Sequence, residues 1–145
     1  MRRVAAIALA GMLLAGCGGK KAKVADSADA CMTMLVDAMK AGDAEAAAEL
    51  FDYEAYAKAN NEDWDDIATG QQNEIINKIR ADKAAALKTQ LGSVQGDLAY
   101  TSAGPAAGGQ AVYSVTANGT PIGNVTVRQT GKGWKITEAF GSGPA

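Results

Sequence analysis

The sequence predicts an α+β domain in which N-terminal helices pack on a curved antiparallel sheet of about four strands. Three observations carry that expectation. Apolar residues recur at three- and four-residue steps between Ser27 and Leu91, the period of a helix. After Gly92 the period drops to two, the alternation of strands. Between two alternating runs stands Asn118-Gly119, a tight-hairpin dipeptide, because both turn positions need positive φ.

The elements follow in chain order. Arg2 and Arg3 precede an apolar run from Val4 to Gly16, 13 residues long. That is well short of the ~20 residues a membrane-spanning helix needs, and the run has no polar face to suit a core helix. A charged start, an apolar middle and small residues before a cut site make an export signal. Its ending, Leu14-Ala15-Gly16-Cys17, resembles the lipobox of bacterial lipoproteins. The resemblance implies that the Cys17 thiol receives a diacylglycerol, the signal is cut before it, and the new amine is acylated. Residues 1–16 are then a signal peptide and Cys17 is the lipid attachment site. Each buried methylene contributes ~0.8 kcal/mol, so one acyl chain holds marginally and two or more hold firmly. Gly18, where Asp retains enteric lipoproteins in the inner membrane, favours the outer membrane facing the periplasm.

Residues 17–26 carry glycines and Lys20, Lys21 and Lys23 without apolar periodicity, the pattern of a flexible tether. Its lysines suit a solubilising spacer and also anionic head groups. A single domain is expected over residues 27–141. Ser27 is a natural N-cap for a first helix with Cys31, Leu35, Ala38 and Met39 inward, and Gly42 supplies a left-handed stop. Asp43 caps a second helix over Ala44 to Phe51, with Ala47, Leu50 and Phe51 inward. Nine acidic residues and one Lys lie between Asp43 and Asp66. Their spacing lacks the turn Gly and distal Glu of a helix–loop–helix calcium site, so no metal ligand is assigned. Asn60, ahead of Glu62, Asp63, Asp65 and Asp66, reads instead as a helix start favoured by the dipole. Thr69 and Gln72 make a capping box for the longest helix, Gly70 to Leu91, striped by Ile75, Ile76, Ile79, Leu87 and Leu91. A helix of that length can lie along the whole face of a small sheet.

Val94, Leu98 and Tyr100 suggest a first strand, bent at Gly96. Ala111 to Ala117, with Tyr113 and Val115 on one face, makes a second, and Ile122 to Gln129, with Val125 and Val127 inward, a third. Gly131-Lys132-Gly133 turns into a last strand over Trp134 to Phe140.

Composition narrows the chemistry. The chain has 145 residues, 14 basic, 16 acidic and no histidine. Without residues 1–16 it keeps 129 residues, 12 basic and 16 acidic, a net charge of −4. That balance argues against nucleic acid, which rewards clustered Lys and Arg. The missing histidine removes the usual general base, the commonest metal ligand and every Ser-His or Cys-His nucleophile. With Cys17 acylated, Cys31 has no intramolecular disulfide partner, and its place on an apolar helix face predicts burial.

Two stretches suggest a family. Lys40 to Phe51, reading KAGDAEAAAELF, resembles the opening of nuclear-transport-factor-like domains of the cystatin-like superfold. Gly131 to Ile136, GKGWKI, resembles their closing strand. The resemblance, which extends to lumazine-binding-like lipoprotein domains, implies a curved sheet cradling a long helix around a cone-shaped cavity. A fainter likeness, in Phe51-Asp52-Tyr53-Glu54, Trp64 and Gln71, is to periplasmic phospholipid carriers of the toluene-tolerance type. Enzymes of the superfold place Asp, Tyr or His in the cone. Asp52, Tyr53, Tyr56, Asp97 and Tyr100 are available here, but no spacing singles out an acid–base pair, so no catalytic residue and no cofactor is assigned. The expectation is a membrane-anchored envelope lipoprotein with a non-catalytic binding domain. Met34, Met39, Tyr53, Trp64, Tyr113 and Trp134 are its candidate lining for an apolar small molecule. Lipid transfer, and docking of an envelope protein through the sheet face, are the alternatives.

Overall fold

The computed structural model describes residues 23–94, 96–104 and 107–141. The expected signal peptide, Cys17 and most of the tether lie outside the described residues. Helices come first: α1 (Ala28–Ala41), α2 (Ala44–Ala48), α3 (Tyr53–Ala59), a 3-10 turn (Trp64–Asp66) and α4 (Thr69–Leu91). Strands follow: β1 (Leu98–Ser102), β2 (Gln110–Ala117), β3 (Thr120–Thr130) and β4 (Gly133–Ala139). They form one antiparallel sheet in the order β1-β2-β3-β4, an α+β architecture.

The caps of α1 are those the sequence predicts. Ser27 Oγ accepts from the Ala30 amide at 3.0 Å. Gly42 leaves the helix at φ 67°, and the Asp43 amide closes back on the Ala38 carbonyl at 2.9 Å. Asp43 then caps α2 through Oδ1 and the Ala46 amide, at 2.9 Å. Between these ends α1 buries Cys31, Met32, Leu35, Val36, Ala38 and Met39, and it packs on β1, β3 and β4. From the sheet, Val115, Val125, Val127 and Ile136 meet that face with no exposed surface. Burying each such side chain contributes ~1.5–3 kcal/mol, so the α1–sheet layer is the core.

Asn118 and Gly119 both take positive φ, 51° and 79°, and turn β2 into β3. The register slips once in each of the β2–β3 and β3–β4 ladders, at Val115/Thr116 and at Thr126/Val127. Such bulges add bend and twist. The outer edge of β4 is covered. Trp134 donates to the Ala25 carbonyl at 2.9 Å, Ile136 donates to Leu50 at 2.8 Å, and Asp52 donates to Ile136 at 2.9 Å. The chain therefore shields one sheet edge with its own residues 25 and 50–52.

Several local expectations are corrected. The helix capped by Asp43 stops at Ala48; Phe51 instead pairs in parallel with Ile136. Asp52 opens α3, its Oδ1 accepting from the Ala55 amide at 3.1 Å. Asn60 does not start a helix but ends α3, its amide reaching the Tyr56 and Ala57 carbonyls. Thr69 and Gln72 form no capping box: Ala68 precedes α4 without a side-chain cap, and Gln72 donates to the Trp64 carbonyl at 2.7 Å. Val94 lies outside β1. The longest correction concerns α4. It packs on α2 and α3 rather than along the sheet, and the helix lying on the sheet is α1. The space a cone would occupy is filled by Met32, Leu35 and their partners.

Candidate functional site

The six candidate lining residues do not converge. Tyr53 and Trp64 share one groove. Met34 borders a second, between α1 and α2. Met39 and Tyr113 belong to the core, and Trp134 is half-buried beside it where residue 25 meets β4. Tyr113 donates to Asp29 Oδ1 at 2.8 Å.

The first groove, of 730 Å³, opens between α3, α4 and the β3–β4 turn. Asp52 fixes its inner end by capping α3, which turns Tyr53 inward until it is 4% exposed. The Tyr53 hydroxyl donates to the Ala48 carbonyl. Burial is the main cause that holds the phenol well above its ordinary pKa. Phe51 and Trp64 complete an aromatic floor, 2% and 5% exposed, with Ile76 beside them. Gln72 holds the Trp64 turn by its backbone, so α4 positions the indole.

Charge collects on the walls. Lys58 pairs with Asp65 at 3.0 Å, and Lys132 pairs with Glu54 at 2.8 Å. The Glu54 hydrogen bond is the main cause that raises the Lys132 pKa. Arg80 sets its guanidinium 5.6 Å from the Tyr53 ring centroid, within cation–π range. Its Nε lies 3.4 Å from Glu49 Oε1, an ionic contact without hydrogen-bond geometry. Lys135 Nζ donates to the Glu49 carbonyl at 2.8 Å. Behind the floor, Lys83 is 6% exposed with its ammonium 4.6 Å from the Phe51 ring centroid, and burial lowers its pKa.

The second groove, of 830 Å³, is acidic, with Asp37, Asp43, Glu45 and Glu49 facing a single basic residue, Lys23. Asp43 is engaged there as the α2 cap. Its floor is Ala38, Ala41, Ala46 and Leu50, without an aromatic side chain.

Sequence reasoning missed Arg80 and Lys135. A signal for Arg80 exists: Ile76, Arg80, Lys83 and Leu87 recur at helical steps on one face of α4, so two cations sit inside the apolar stripe. Lys135 has none, since its partner is a backbone carbonyl 86 residues away.

Of the residues weighed for catalysis, Asp52 caps α3 and Tyr53 bonds the Ala48 carbonyl. Asp97 is exposed and 3.9 Å from Lys40 Nζ, and the Tyr100 hydroxyl bonds Thr33 at 2.8 Å. The tyrosine–carboxylate pair of Tyr113 and Asp29 lies outside both grooves, with Asp29 exposed. Among the described residues no group of three acidic or cysteine side chains is placed to hold a metal ion. No helix among them is long and apolar enough to cross a membrane. Compared with protein-family models, curated proteins and solved structures, the chain matches none.

Proposed function

We propose that this chain is a lipid-anchored protein of the bacterial envelope whose α+β domain binds a small molecule without transforming it. The lipobox-like run ending at Cys17 supports the anchor, and Gly18 after it supports the outer-membrane address. The observation that supports binding is the 730 Å³ groove, in which an aromatic floor is ringed by charged and amide side chains. That is the usual makeup of a ligand site: apolar surface for affinity, a few polar groups for orientation. Its carboxylates are spent on a helix cap and on ion pairs, an arrangement that suits holding a ligand better than moving a proton.

The likeness to nuclear-transport-factor-like domains enters as analogy, and fold alone does not assign a ligand. Docking of an envelope protein through the sheet draws less support. The outward positions of β2 and β3 include Val112, Ser114, Thr116, Asn124 and Arg128, and among the described residues Val24 is the one exposed large apolar side chain, at 65%. Apolar patches rather than polar faces mark such surfaces.

The test is native mass spectrometry of the purified protein, followed by solvent extraction. A co-purified small molecule, released when Trp64 is replaced by Ala, supports the reading. A protein that emerges empty and shows no resonance shift at Tyr53 or Trp64 with any small-molecule library overturns it. A phospholipid in the extract would favour the carrier alternative.

A further inference from the structure

Arg80 and Lys135 reach Glu49 from different elements, and both line the basic groove. The remaining cations there are matched, Lys58 by Asp65 and Lys132 by Glu54. Asp52 spends one carboxylate oxygen on the α3 cap. Among the described residues Arg80 and Lys135 have one carboxylate within 4.0 Å, that of Glu49, and only Arg80 contacts it. Lys135 takes the backbone carbonyl of the same residue and, among the described residues, meets no carboxylate within 4.0 Å. An ammonium has three N–H donors and a guanidinium five. Lys135 uses one on Glu49. Arg80 uses one on Asn77 Oδ1, at 3.2 Å, and its buried Nε makes no hydrogen bond.

Spare N–H donors on two cations therefore stand at one wall of a groove floored by aromatic rings. An oxyanion there gains charge-assisted hydrogen bonds from both residues, in partly desolvated surroundings where such bonds are strongest. We infer that Arg80 and Lys135 form an anion subsite, and that the ligand is a small organic oxyanion with an apolar body. The carboxylate or phosphate ester meets Arg80 and Lys135, and the body lies against Phe51, Tyr53 and Trp64. This assignment rests on the groove's being the ligand site.

The test uses the chain from residue 17 with Cys17→Ser, whose core lies within residues 25–140. Hexanoate, hexyl phosphate, hexylammonium and hexanol are titrated while the Trp64 indole and Tyr53 amide resonances are followed. Hexanoate or hexyl phosphate is expected to bind at least about tenfold more tightly than the cation and the alcohol. The tighter of the two distinguishes a carboxylate from a phosphate ligand. Lys135→Met and Arg80→Gln should each weaken that binding about tenfold. Lys135→Arg should retain it, which keeps the assignment testable if Lys135→Met fails to fold. Lys78→Met, the same charge change on an exposed face of α4, should leave it unaltered. Equal binding of hexylammonium or hexanol, or no loss in either weakened variant, overturns the anion subsite and leaves the groove a ligand site. Binding of none of the four probes overturns the subsite alone if a different molecule co-purifies, and both readings if none does.

Discussion

The Tyr113 hydroxyl donates a 2.8 Å hydrogen bond to the Asp29 carboxylate, fastening β2 to the first turn of α1. Tyr113 is 5% exposed, and Tyr100 meets it edge-on with ring centroids 5.7 Å apart. Burial first, and then the Asp29 hydrogen bond, raise the phenol to about 12. An unfolded tyrosine ionises near ~10. A group whose folded pKa is raised contributes stability that is complete below its unfolded pKa and lost as pH climbs through the folded one. The contribution of Tyr113 should therefore be whole at pH 7 and fade between about pH 10 and 12. Lys83, with its lowered pKa, works in the opposite direction, gaining as pH rises. Comparing wild type with Tyr113→Phe at each pH cancels that part. The variant should be less stable by about 1.5–3 kcal/mol at pH 7, and the gap should close in urea melts at high pH. A gap that stays constant with pH would show that the hydroxyl carries no such linkage.

Cys31 is fully buried on α1, and burial lifts its thiol to about 11, an effect partly offset by the positive charge of Lys135. The thiolate is the nucleophile, so the native protein should ignore a disulfide probe at pH 8 and react at once in urea. Cys31→Ala should cost about 1 kcal/mol, close to one buried methylene. Cys31→Ser places a hydroxyl in an apolar layer and should cost about 1–3 kcal/mol if no partner is found. Fast labelling of the folded protein would sink the core assignment.

How much of this was legible in the sequence differs between elements. The ends of α1 and the β2–β3 hairpin were, because Ser27, Gly42 and Asn118-Gly119 act locally, through their own backbone. The start of α3 was not: Asp52 reads as one more carboxylate in an acidic stretch until the amide it caps is seen. Thr69 and Gln72 misled because a nearer tertiary acceptor, the Trp64 carbonyl, drew the glutamine away. The place of α4 was hidden by its cations. Arg and Lys are counted as outward residues, yet their stems cover apolar surface while the charge finds a ring or an acid. Arg80 over Tyr53 and Lys83 over Phe51 do so, and they turn the helix toward α2 and α3. For the groove, Tyr53 and Trp64 could be named as aromatics, whereas Lys135 depends on a contact that only the fold creates.

Gly133 supports the covered edge of β4. Its φ is 94°, and a Cβ there would lie 2.6 Å from the Ala25 carbonyl oxygen and 2.5 Å from Val24 Cγ1. Gly133→Ala should cost about 1–3 kcal/mol from backbone strain, with the clash added. It should also free residue 25 from β4, read as faster hydrogen exchange at the Trp134 amide, which donates to it. Gly131, two residues earlier, has open space at the Cβ position and no positive φ. Gly131→Ala should change stability by less than about 0.5 kcal/mol. Equal effects in thermal melts would remove the edge from the account.

The described chain starts at Lys23, beside the β3–β4 turn, since Val24 and Ala25 border Gly133. Only five residues separate Lys23 from Cys17, six steps of chain with a reach of at most ~22 Å. Gly131 and Lys132 of the same turn form a lip of the basic groove. If Cys17 carries the lipid, that lip stays near the membrane surface, and the groove samples molecules arriving along it. The prediction is twofold. Cys17→Ser should move the protein from the membrane to the soluble fraction, or leave it as an uncut precursor, and intact mass should lose the acyl chains. Lengthening the tether by 20 Gly/Ser residues after Gly19 should leave anchoring unaltered while weakening crosslinks between Lys132 and lipid head groups, because the allowed distance roughly doubles (about 5–6 Å × √n). Undiminished membrane attachment of the mature Cys17→Ser protein would remove the anchor, and with it the reason for the groove to face the bilayer.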